Sequence, residues 1–125
     1  MNIHYIGQKC CEGFMKAINI QLQTGREISY NVKDKFYFSS NLDAIILVGD
    51  LLPIFDNDKE RLYIFLEEAK KKNIPVIGIF RETERPPKGE QGLSKMIMPS
   101  NNLPVKEIAT KLNDFFYDYK KRKTA

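Results

Sequence analysis

Asp43-Ala44-Ile45-Ile46-Leu47-Val48-Gly49 is the segment that most constrains the fold. Five apolar residues run without a polar break, bounded by an acid and a glycine. The run is too short for a buried helix and too uniform for a strand with one wet face. It reads as a central β-strand covered on both sides, the position that parallel sheets create. Ile74-Pro75-Val76-Ile77-Gly78-Ile79-Phe80 repeats the pattern. Pro75 fits at the start of that strand, where no ladder hydrogen bond is needed.

The segments between and around these two strands alternate in kind. Ile3 to Ile6 has a short strand pattern, ended by Gly7-Gln8. From Glu12 to Leu22 apolar residues recur at Phe14, Ala17, Ile18 and Leu22, which is helical spacing, and Thr24-Gly25 closes that helix. Glu27 to Val32 alternates polar and apolar, as a strand near a sheet edge does. Lys33 to Asn41, with Phe36, Tyr37 and Phe38, reads as a short strand, a reduced helix or a covering loop. Asp56-Asn57-Asp58 offers N-caps for a helix from Lys59 to Lys72, with Leu62, Phe65, Leu66 and Ala69 facing inward and Asn73 as its stop. Arg81 to Gly92 is a long polar loop, Ser94 to Met98 a short last strand, and Pro104 to Lys121 the final helix, buried through Ile108, Leu112, Phe115 and Phe116.

Strand and helix therefore alternate. That order implies an α/β domain with a parallel sheet, helices on both faces and right-handed crossovers. Five strands fit a flavodoxin-like three-layer sandwich of order 2-1-3-4-5. With 125 residues, 42% hydrophobic and 29% charged, one ordinary globular domain is expected over residues 1–125. No apolar run reaches the ~18 residues of a membrane span, and the start lacks the features of a signal peptide.

Charge and cysteines narrow the setting. Lys120-Lys121-Arg122-Lys123 accounts for the whole of the net charge of +4. This basic tail, 120–125, reads as a solvated helix end whose cations suit the helix dipole. Four charges are few for tight phosphate binding, so a nucleic-acid partner is not expected. Cys10 and Cys11 are the only cysteines, and neighbours rarely bridge, because the ring strains the intervening peptide. A reduced, cytoplasmic setting follows.

In such a sheet, ligands bind outside the carboxyl ends of the strands, where strands one and three meet. Three loops converge there: Gly7 to Gly13, Gly49 to Asp58 and Arg81 to Gly92. Candidate ligand-binding residues are Gly7, Gln8, Gly49, Asp50 and Arg81, for a small nucleotide-like ligand. Asp50, Asp56 and Asp58 share one loop and could hold Mg²⁺, but capping explains Asp56-Asn57-Asp58 better. His4, the only histidine, sits within the first strand and is given no role. No Ser-His-Asp set can be assembled, and neither GxGxxG nor GxxxxGK[ST] occurs. No catalytic residue, metal or cofactor is expected.

From Asp43 onward the chain resembles response-regulator receiver domains. The resemblance rests on Asp43 through Pro53, on Ile74-Pro75-Val76-Ile77, on Met98-Pro99 and on the final helix. It implies a signalling scaffold whose phosphoryl chemistry has not been kept. A receiver carries an acidic pair after strand one, where this chain has Gly7-Gln8. Counting back from Pro53, the phospho-acceptor position is Gly49, with Asp50 one place off. Phe80 matches the switch hydroxyl and Met98 the lysine before Pro99. The resemblance thus implies a pseudo-receiver, acting on a protein partner or by self-association through the last helix, with Tyr117 and Tyr119, or the 81–92 loop. A second resemblance, to TIR-like domains, places Glu60 near the cleft and implies a nucleotide- or NAD-derived small ligand.

Overall fold

The structure, a computed structural model, describes residues 2–22, 25–29, 42–49, 52–80, 95–97 and 104–124. In chain order these form β1 (Asn2–Gly7), a 3-10 turn (Lys9–Cys11), α1 (Glu12–Leu22), β2 (Gly25–Ser29) and β3 (Ala44–Val48). A second 3-10 turn (Leu52–Phe55), α2 (Lys59–Lys71), β4 (Val76–Ile79), β5 (Lys95–Ile97) and α3 (Val105–Thr124) follow. The segments 33–41 and 81–92 lie outside the described residues, as do Met98 and Pro99.

All strand pairs are parallel, and the sheet runs β2-β1-β3-β4-β5. β3 sits between β1 and β4, with Ile3 opposite Ala44 and Ile45 opposite Val76. All five of its residues are buried. The alternation of side chains along each strand divides them between two cores. Ile3, Tyr5, Ala44, Ile46, Val48, Ile77 and Ile79 meet α1 and α3 on one face. Ile6, Ile45, Leu47, Val76 and Phe80 meet α2 and the second 3-10 turn on the other. The continuous apolar run of β3 is thereby explained residue by residue, since each position has a helical layer to bury against.

The helices follow from their stripes and caps. α2 buries Leu62, Phe65, Leu66 and Ala69, the stripe its spacing predicts. Asp58 is its N-cap, with Oδ1 accepting from the Glu60 and Arg61 amides at 3.0 and 3.4 Å. Asp56 and Asn57 precede it at φ 59° and 57°, and the Asp58 amide donates to Phe55 O at 3.1 Å, closing a tight turn. Asn73, at φ 56°, ends the helix in the left-handed conformation that asparagine tolerates. Tyr119 of α3 donates its hydroxyl to the Asn73 carbonyl at 3.0 Å, tying the last helix to the α2–β4 turn.

Several boundaries and faces differ from the sequence reading. β2 begins at Gly25 rather than at Glu27, because Gly25 opens the strand instead of closing the helix, and residues 30–32 lie outside the described residues. β5, Lys95–Ile97, lies inside the expected 94–98 segment, whose two end residues are outside the described residues; α3 continues to Thr124, so the basic stretch is helical backbone. α1 buries Met15, Ile18, Asn19 and Leu22, while Phe14 and Ala17 are only half-buried. Asn19 is admitted to the core because its Oδ1 accepts the Tyr5 hydroxyl at 3.1 Å, which satisfies two polar groups at once. At the far end of the sheet Asp43 pins β1. Its Oδ2 takes the Asn2 amide at 2.7 Å, and its own amide donates to Asn2 O at 2.9 Å.

Gly78 makes room for Phe80. A Cβ on Gly78 would lie 2.3 Å from the Phe80 ring, which is fully buried and cannot swing out cheaply. Gly78→Val should therefore lower unfolding free energy by about 1–3 kcal/mol, with Phe80→Leu in the same chain recovering part of the loss. Asp58→Ala should cost about 1 kcal/mol through the lost cap. Urea unfolding checks both, and a Gly78→Val chain as stable as wild type would contradict the packing described.

Candidate functional site

The carboxyl ends of β1, β3 and β4 meet at one rim. Gly7 ends β1 opposite Val48, which brings Gly7 and Gly49 to the same place. Both are buried. A Cβ on Gly7 would stand 3.1 Å from the Met15 sulfur and 3.1 Å from the Val48 carbonyl oxygen. Gly7 thus lets α1 settle directly onto the end of the sheet. Gly49 has φ 78°, a conformation that a side chain resists. Its amide donates to Ile79 O at 3.0 Å, extending the β3–β4 pairing by one residue. The two glycines are accounted for by close packing and by backbone geometry.

Gln8 follows β1 in extended conformation, half-buried, and its carbonyl accepts the Cys11 amide at 2.9 Å. The 3-10 turn Lys9–Cys11 then leads into α1. Asp50 and Arg81, the other two candidates, lie outside the described residues. Of the loop acids, Asp58 is committed to capping α2, and Asp56 is exposed in the tight turn before it. Glu60 lies in the exposed first turn of α2, with its amide bonded to Asp58. Among the described residues no group of three or more His, Cys, Asp or Glu is placed to hold a metal ion. His4 is buried in β1, with its neighbours Ile3 and Tyr5 turned to the α1 face.

Toward α2, the rim is filled by the protein's own side chains. Ile54, Phe55 and Phe80 are each at most 1% exposed, and Phe55 packs on Phe65 with ring centroids 5.2 Å apart. The sequence reading placed Phe80 at the end of the second buried run and as a mismatch to the switch hydroxyl, but not over Gly78. The Gly78-x-Phe80 spacing was the available signal, because residues two apart on a strand share a face. Tyr117, a candidate docking residue on α3, is 68% exposed, whereas Tyr119 is half-buried against the α1–α3 core and bonded to Asn73.

With this geometry established, the comparison with solved structures identifies the fold. The chain is similar to a response regulator receiver protein from Pseudoalteromonas atlantica, with a TM-score of 0.65, 11% identity, and coverage of 95% of this chain and 99% of that one. It is also similar to a CheY-like response regulator receiver domain protein from Methanospirillum hungatei JF-1, with a TM-score of 0.62, 8% identity, and coverage of 96% and 97%. No family profile matches the sequence, and no curated protein matches it. The fold is a receiver-like α/β fold with a parallel sheet. Among the described residues no helix is long and apolar enough to cross a membrane.

Three glycine substitutions separate these roles by sign. Gly49→Ala should destabilise by about 1–3 kcal/mol, because alanine is strained at that backbone conformation. Gly7→Ala should also destabilise, because Met15 or the Val48 carbonyl has to give. Gly13 lies in α1 with nothing within 4 Å of the place a Cβ would take, so Gly13→Ala should instead gain about 0.5–1 kcal/mol. Urea unfolding of the three variants tests this, and a neutral Gly49→Ala would contradict the backbone account.

Proposed function

We propose that the chain is a non-catalytic regulatory module: a pseudo-receiver that docks onto a protein partner or a second copy of itself. The whole chain is read as one domain, a flavodoxin-like three-layer sandwich of five strands in the order 2-1-3-4-5, working in a reducing, cytoplasmic setting.

The observation that carries this reading is the residue make-up of the rim on a receiver-like fold. Gly7 and Gln8 follow β1, Gly49 follows β3, and Phe80 follows β4. In-line phosphoryl transfer requires a positioned nucleophile, metal ligands and charge-stabilising groups. The positions that would carry them hold two packed glycines, an amide and a buried ring. Burial of Phe80 over Gly78 further ties the end of β4 to the α2-side core. A scaffold without reactive groups still offers surfaces. Tyr117 on α3 is an exposed aromatic, a residue type common at the energetic centres of interfaces.

Two measurements test the proposal. Thermal unfolding should be unmoved by Mg²⁺ with beryllofluoride and by NAD, nucleotides and cyclic dinucleotides, because a ligand that binds the native state raises apparent stability by mass action. A shift with NAD or a nucleotide would favour a small-ligand module that uses Gln8, Asp50 and Arg81. Asp50 phosphorylation after treatment with acetyl phosphate would contradict the proposal. In sedimentation across a concentration range, Tyr117→Ala should weaken self-association while changing stability by no more than about 0.5 kcal/mol.

A further inference from the structure

The turn between β1 and α1 carries two thiols side by side. The Sγ atoms of Cys10 and Cys11 stand 3.9 Å apart, and neither residue is in a disulfide. Cys10 is exposed, whereas Cys11 is half-buried and packs against the core beneath α1 and α3. In an extended strand, adjacent side chains point to opposite faces. A 3-10 turn separates them by only about 120° around its axis, which lets the two sulfurs converge. Gln8 Oε1 lies 3.9 Å from the Cys10 sulfur.

This spacing suits a shared ion. Two sulfurs, each about 2.3 Å from one ion and subtending about 120°, stand about 4 Å apart. The observed separation meets that value with little movement. Paired thiolates are soft ligands and favour soft ions such as Cu(I). Zinc asks for four ligands in a closed structural site. Among the described residues no third or fourth His, Cys, Asp or Glu joins this pair, and the adjacent acid, Glu12, is engaged by Lys16 Nζ at 2.7 Å.

We propose that Cys10 and Cys11 form a bidentate thiolate site for a soft ion of low coordination number, of the Cu(I) class. Binding releases two thiol protons to solvent and forms two metal–sulfur bonds, with no change in oxidation state. A small ligand from solution completes the coordination. The site uses neither the α3 docking face nor any phosphoryl chemistry, so it stands or falls apart from the pseudo-receiver reading.

The test is anaerobic competition for Cu(I) between the fully reduced chain and bicinchoninate. One Cu(I) per chain is expected, held at least about a hundredfold tighter than Zn(II). Cys10→Ser should weaken Cu(I) binding by about the same factor, since one thiolate then remains. Cys10 is exposed, so that variant should keep its fold, which circular dichroism checks. The folded chain should also bind about tenfold tighter than the urea-unfolded chain, because the turn holds the sulfurs in place. Retained affinity in Cys10→Ser, equal affinity for Zn(II), one ion shared by two chains, or equal binding by the unfolded chain would each overturn the proposal.

Discussion

β3 is the constraint on which the rest of the structure depends. All five of its residues pair with β1, Ile45 to Val48 pair with β4 as well, and all five are buried. Burying each large side chain of this kind contributes roughly 1.5–3 kcal/mol, and that burial needs a layer on each face of the strand. β1 and β4 close its two edges as parallel neighbours, and helices lie on both sides. The two separate cores, one under α1 and α3 and one under α2, follow from the alternation of side chains on these strands.

The same packing shapes the rim. Gly7 is small because Met15 and the Val48 carbonyl come close, and Gly49 turns the chain while keeping its amide bonded to β4. Phe80 fills the space that Gly78 leaves. Positions that a reactive rim would give to carboxylates and hydroxyls are used here to seat a helix, turn a strand and complete a core. A fold hosts many functions, and the side chains grafted on it decide which one. The likeness to receiver structures thus describes the scaffold, and the docking role proposed above rests on the rim residues.

The sequence displayed some of this and hid the rest for physical reasons. The apolar runs of β3 and β4 and the α2 stripe were legible because burial on a regular element leaves a period. Asp58 as a cap was legible because capping is a local interaction. Asn19 was not, because its burial depends on the Tyr5 hydroxyl fourteen residues away in sequence. Met15 was passed over for Phe14 and Ala17, since a helix with many apolar residues admits more than one inward face. The start of β2 moved because glycine can end a helix or open a strand. Gly7 and Gly49 were expected at the rim and are there. That Met15 and the Val48 carbonyl come close enough to require Gly7 is a tertiary fact with no sequence signature. Asp50 and Arg81 lie outside the described residues.

The central claim is that the described part of the rim at β3, from Gly49 to Phe80 across the sheet, belongs to the packed core. Native-state hydrogen exchange at the Gly49 amide tests it most directly, because that group is buried and donates to Ile79 O at 3.0 Å. The account predicts exchange as slow as that of the β3 amides, governed by global unfolding. Exchange at the rate of an exposed loop, or a rate altered by Mg²⁺ with a phosphoryl analogue, would contradict it.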